Sequence, residues 1–221
     1  MVKQRDVINN VLILGSDYII VENTRSSLMI QSAISDPSFE SIIIYNEFRR
    51  HREFPYMNLS WDAQTIMNLP NAGGNSIHSE ALSCDVLGTI LNAKLKATEM
   101  ELRYSPLTKI TDYSISINDT IFGVSVTRAM KHKGIFDKED AYRLLTKKLY
   151  GVNVSSNTVI NRYKWKKQIL HIWAQHRYIR DILNDTYNEL SRELKNNTIV
   201  IITVCENAPW IFYDRLYEQY S

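Results

Sequence analysis

Cysteine is nearly absent from this chain of 221 residues: Cys84 and Cys205 stand alone, too few for a disulfide framework and without zinc-type His/Cys spacing around them. Seven glycines and five prolines argue against long disordered stretches. No segment approaches the roughly 18 consecutive apolar residues of a membrane helix. The opening MVKQRDVINN carries charge and amide where a signal peptide would be apolar. These absences lead to the expectation of a soluble, intracellular protein in a reducing setting, with no membrane. Neither sign of charge prevails, since 26 Lys+Arg against 24 Asp+Glu leave +2; position, and not net charge, must carry any contact with a polyanion. Also missing are the G-x-S-x-G, H-E-x-x-H, G-x-x-x-x-G-K-[ST] and G-x-G-x-x-G signatures.

What is present suits one mixed α/β core, with 44% hydrophobic residues and enough length to bury them. Residues 11–23 (VLILGSDYIIVEN) read as strand, turn and strand about Gly15-Ser16-Asp17. Residues 27–34 suit a helix, 41–48 a buried strand, and Trp61 to Leu69 a short helix stopped by Pro70. The Gly73-Gly74 loop marks a boundary, dividing a β-rich N-terminal elaboration (1–75) from a core (76–221).

The core has sharper signals. Residues 79–97 place apolar side chains at 82, 86, 87, 90, 91 and 95, a helix with one buried face, with Ser79 as N-cap and Glu80 in the first turn. A strand is expected at 100–105, with Glu99 and Glu101 as surface charges, and a second at 109–117 containing Asp112. Asn118-Asp119 favours a tight hairpin, because both residues tolerate positive φ, and 120–130 is the returning strand. Residues 137–151 have an acidic first turn and a glycine stop. Three-four apolar spacing from Arg162 to Leu194 predicts a long helix or two collinear ones, and 196–205 is a fully apolar strand.

The order from residue 79, α-β-β-β-α-β, is similar to the core of the PD-(D/E)XK nuclease superfamily, the restriction-endonuclease-like fold. The resemblance covers residues 79 to 205. It implies a mixed central sheet and a helix glutamate, here Glu80, that meets an aspartate of the second strand, here Asp112. Together they would hold Mg²⁺ or Mn²⁺ for phosphodiester hydrolysis. The third-strand acid-x-lysine slot falls on Ser125-Val126-Thr127, so hydroxyls stand where an acid and a lysine belong. Arg128 or Lys131 could supply the missing cation. The same departure leaves a second expectation open, a nuclease-like module without catalysis that binds nucleic acid or assembles with protein.

Between Asn161 and Arg180 the chain has six Arg/Lys, two His and no acid. Arg162, Lys164, Lys166 and Lys167, with Gln168 and His171, are therefore candidates for contact with DNA or RNA. Thirteen tyrosines leave a protein partner or homo-oligomer open as well.

Overall fold

A computed structural model of the chain describes residues 10–36, 38–69, 76–106 and 109–213. Its strands are β1 (Asn10–Leu14), β2 (Tyr18–Asn23), β3 (Ile42–Arg50), β4 (Lys94–Thr98), β5 (Tyr113–Ile117), β6 (Thr120–Ala129), β7 (Lys167–Ala174) and β8 (Ile199–Val204). Its helices are α1 (Thr24–Ser35), α2 (Trp61–Asn68), α3 (Ile77–Leu91), α4 (Lys138–Thr158), α5 (Arg177–Glu189) and α6 (Arg192–Lys195). All eight strands join one mixed sheet in the order β1-β2-β3-β8-β7-β6-β5-β4. The N-terminal segment thus extends the core sheet through parallel pairing of β3 with β8. Pro70 and the Gly73-Gly74 loop lie outside the described residues.

Alternation along the strands divides the core into two layers. Val124, Val126, Ile169, Trp173, Ile199 and Ile201 pack with α1, α2 and α3. Leu170, Ile172, Ala174, Val200 and Ile202 pack on the other face with α4 and α5. The β4-β5-β6 meander is antiparallel, and its last turn holds Asn118 and Asp119 at φ 46° and 63°, the doubly positive turn the sequence favours. After α4, β7 lies parallel to β6, and β8 lies parallel to β7.

Four elements differ from the sequence reading. The helix expected over 79–97 begins at Ile77 and stops at Leu91, where Asn92 turns left-handed at φ 51°. Leu95 fits the helical spacing but belongs to β4, so the first meander strand is 94–98, and 100–105 is mostly loop. The next helix passes Gly151 and ends at Thr158; a Cβ there would meet nothing within 4 Å, so nothing forces a stop. The long helix expected from Arg162 gives way to β7, whose eight residues are all buried. A strand covered on both faces shows an unbroken apolar run without alternation, and that run also satisfies a three-four spacing.

Lys167 at the start of β7 is buried too, and its Nζ donates to the carbonyls of Ala33, Asp36 and Phe39 at 2.9, 3.0 and 2.9 Å. It closes the C-terminal end of α1, where carbonyls lack helical partners; burial holds its pKa below the usual lysine value. On the seam between β2 and β3, Glu22 opposes Asn46. Both are buried, and Glu22 Oε1, Asn46 Oδ1 and Asn46 Nδ2 find no hydrogen-bond partner among the described residues. Replacing Lys167 with Met strips three carbonyls of a charged donor, and a loss of about 3 kcal/mol is expected. Urea denaturation would read it as a lower midpoint with an unchanged slope; an unchanged midpoint would refute the capping role.

Candidate functional site

Glu80 sits in the first turn of α3, largely buried, and Glu80 Oε1 accepts a hydrogen bond from the Ser76 hydroxyl. The helix is pinned to the sheet by the Trp173 indole, which donates to Ser79 O at 3.0 Å. Burial raises the Glu80 pKa, and the charge of Glu99 adds to it. Ser76, Lys148 and Arg128 oppose that shift.

Asp112 stands just before β5. Its N–H donates to Val124 O at 3.1 Å, and its Oδ2 accepts from Val126 N at 2.5 Å. The β5-β6 ladder therefore ends on a side chain, while β6 runs on to Ala129 paired only with β7. Lys148 of α4 donates from Nζ to the carbonyl of the same residue, Val126 O, at 3.1 Å. Burial raises the Asp112 pKa from 3.8 to about 7, with the Glu80 carboxyl as the next cause and Glu99 a smaller one. Lys148 and the Val126 N–H pull it down. The two carboxyls thus share one electrostatic site with Lys148.

The other expected residues divide. Ser125 and Thr127 share the α4 face of β6, beyond the last β5-β6 pair of Tyr113 with Val124. Arg128 faces the α3 side, lowers the Glu80 pKa by its charge and donates to Ile211 O at 3.4 Å. Lys131 goes elsewhere: its ammonium lies 2.6 Å from Asp140 and 3.4 Å from Asp137, where it steadies the start of α4.

In the basic stretch, Arg162, Lys164 and Lys166 are exposed, whereas Lys167, Gln168 and His171 are buried. Gln168 bonds Thr198 Oγ1 and Asn153 Oδ1. His171 is held between Ser83 Oγ at 2.6 Å and Thr203 Oγ1 at 2.8 Å, and burial pushes its pKa down to about 3. These three side chains serve the core, because β7 is central and not a helix face open to solvent.

Lys148 and Tyr104 escaped the sequence reading. Lys148 falls between Leu145, Leu149 and Val152 on the apolar stripe of α4, and a lysine on such a stripe was the available signal. Tyr104 accepts from Thr111 N through its hydroxyl at 2.9 Å; burial first, then Asp112 and Glu99, raise its pKa, and the hydrogen bonds with Thr111 oppose the rise. Nothing in the sequence ties Tyr104 to the site, because its loop replaces the expected strand. Glu99, expected as a surface charge, is half-buried and contributes to the field at both carboxyls.

As donors for a cation, Glu80 and Asp112 each accept one hydrogen bond among the described residues, which leaves Glu80 Oε2 and Asp112 Oδ1 for a further ligand. Among the described residues no group of three or more His, Cys, Asp and Glu is placed to hold a metal. No helix there is long and apolar enough to cross a membrane.

No protein-family model matches the chain, and no solved structure matches it. A curated relative from Dictyostelium discoideum, the AAC-rich mRNA clone AAC4 protein, is 40% identical over 162 residues, 70% of this chain and 24% of that protein. The chain therefore spans about a quarter of the length of this relative, whose name describes a transcript.

A carboxyl whose folded pKa is raised costs stability once the unfolded chain would ionise it. The cost grows as pH rises from about 4 to about 7 and is complete above. Asp112→Asn keeps an oxygen for the Val126 N–H and removes the charge. It is expected to raise the melting temperature relative to wild type at pH 8, with the difference shrinking toward pH 4. A difference that stays constant over that range would contradict the assigned electrostatics.

Proposed function

We propose that the chain is a nuclease-like phosphodiester hydrolase of PD-(D/E)XK type, dependent on Mg²⁺ or Mn²⁺, with Glu80, Asp112 and Lys148 at its centre. One observation carries this reading: a buried Asp112 carboxyl, its pKa raised by burial and by the charge of Glu80, is held beside Lys148 where β5 leaves β6. Keeping a buried carboxyl with a raised pKa costs stability above its unfolded pKa, and perturbed groups of this kind concentrate at functional sites. The order α3, β4, β5, β6, α4, β7, with an antiparallel meander followed by a parallel strand, supports the same reading.

The donor set fits a hard divalent cation, because each carboxyl has an oxygen to offer and a cation would relieve the repulsion between them. Such an ion polarises a phosphoryl oxygen and lowers the pKa of a bound water. The protein groups do the rest. Lys148 places positive charge beside the carboxyls, and Ser125 and Thr127 carry hydroxyls on the face that Lys148 covers. Arg128 balances Glu80 from the opposite face.

A second reading is favoured by the third-strand slot, where Ser125-Val126-Thr127 brings neither acid nor lysine: a module that binds nucleic acid without cutting it. Titration calorimetry with Mn²⁺ and a cleavage assay on labelled DNA and RNA separate the two. Hydrolysis predicts metal binding lost in Asp112→Asn, and at least about a hundredfold slower cleavage in Asp112→Asn, Glu80→Gln and Lys148→Met. Wild type that neither binds Mn²⁺ nor cleaves would rule hydrolysis out and leave the binding module.

A further inference from the structure

We propose that β1 is a dimer edge: two copies of the chain join their β1 strands antiparallel about a two-fold axis at Leu12, making one continuous sheet. Among the described residues β1 and β4 are the two edges of the sheet, and they are built differently. β4 carries Lys94 and Lys96, both exposed, and its pairing with β5 shifts between Leu95 and Ala97. Charge and a bulge keep an edge strand from pairing with another chain. β1 is Asn-Val-Leu-Ile-Leu, without charge, proline or register shift. Leu12 and Leu14 are 60% and 71% exposed, while Ile13 holds the strand to the core. A second copy is the partner this edge suits. Lysines would meet their own copies across a two-fold axis and repel, whereas an uncharged strand does not.

Hydrogen-bond alternation fixes the register. The Gly15 N–H donates to Tyr18 O at 3.0 Å. Counting back from that bonded pair, Ile13 with Ile20 and Val11 with Glu22 exchange bonds with β2. Asn10, Leu12 and Leu14 fall between them, so their N–H and C=O groups point away from β2 toward the open edge. An antiparallel partner must set outward groups opposite outward groups, so the axis has to pass through a residue and not between two. An axis at Leu12 opposes the whole of one strand with the whole of the other. Leu12 then faces Leu12, and Asn10 faces Leu14 in both directions, each as a bonded pair.

Side chains follow the same symmetry. On the face where Leu12 and Leu14 project, β2 places Val21 and Ile19 beside them, both half-buried. Across the axis the second copy continues this band, so Leu12 and Leu14 gain apolar or amide neighbours on the side that was open. Two short strands bury less than the roughly 1,200 Å² at which stable specific interfaces begin. Association is therefore expected at micromolar and not nanomolar concentration. The contact lies across the sheet from β5 and β6, so it leaves the Glu80–Asp112 site open and stands independently of the hydrolase reading.

Sedimentation equilibrium of the full chain, from roughly 5 to roughly 500 μM, reads the association. Wild type is expected to move from the mass of one chain toward that of two. Leu12→Pro removes an N–H that serves the partner and not β2, and Leu12→Lys sets like charges opposite each other. Each is expected to weaken association at least about tenfold. Melting temperatures at the lowest concentration, unchanged in both variants, serve as the folding control. Leu12→Cys tests the register, because facing residues of a bonded pair lie about 5.5 Å apart at Cα, within disulfide reach. Cys84 and Cys205 are buried, so oxidation is expected to yield a covalent dimer of Leu12→Cys. Leu28→Cys, exposed on α1, is expected to yield none. Wild type that keeps the mass of one chain throughout, as it would if another segment of the same chain covered β1, would overturn the proposal. A dimer that Leu12→Pro and Leu12→Lys leave intact, or that Leu12→Cys does not cross-link, would overturn it equally.

Discussion

Both backbone polar groups of Val126, its N–H and its carbonyl, are held by side chains, and the candidate site is built around that grip. Asp112 accepts from its N–H and Lys148 donates to its carbonyl, at the point where β6 loses β5 as a neighbour. A strand interior normally satisfies its peptide groups with backbone partners. Here two side chains from different elements take over, and their charges are fixed in space because β6 needs them. Glu80 arrives from the opposite face through α3, itself anchored on Trp173. The positions of the charged groups therefore follow from hydrogen-bond bookkeeping in the sheet as much as from any chemistry they perform.

The arrangement has an internal tension that electrostatics makes explicit. Asp112 must present an oxygen to the Val126 N–H, yet burial and Glu80 both favour its protonated form. Lys148 pulls the other way. A group poised between protonation states near neutral pH can respond to the arrival of a cation or an anion with little reorganisation. The histidine of the core offers a contrast. His171 is equally buried, but hydroxyls satisfy both ring nitrogens, and it stays neutral.

Much of this was legible in the sequence, and the reasons differ from element to element. The Asn118-Asp119 turn was readable because positive φ at two successive positions leaves few residue choices. Glu80 and Asp112 were readable as a pair because the order of elements around them narrows where each side chain can fall. Lys148 was not, since its relation to Asp112 exists only after α4 crosses over β6. The segment after Arg162 misled for a physical reason: β7 is covered on both faces, and burial erases the alternation by which a strand is known. Lys167, Gln168 and His171 consequently looked like a helix surface, though each closes a buried hydrogen-bond network.

The seam between β2 and β3 gives the molecule a built-in order of unfolding. Glu22 and Asn46 face each other there with three polar atoms unpaired, and water can satisfy those atoms only if the strands separate. Each such atom offsets part of the free energy needed to open the seam. The β1-β2 hairpin is then the cooperative unit that detaches first, ahead of β8, β7 and β6, while Lys167 keeps the end of α1 tied to β7. In amide exchange it would form the fast class, so the part of the sheet that carries the carboxyls outlasts the part that only widens it.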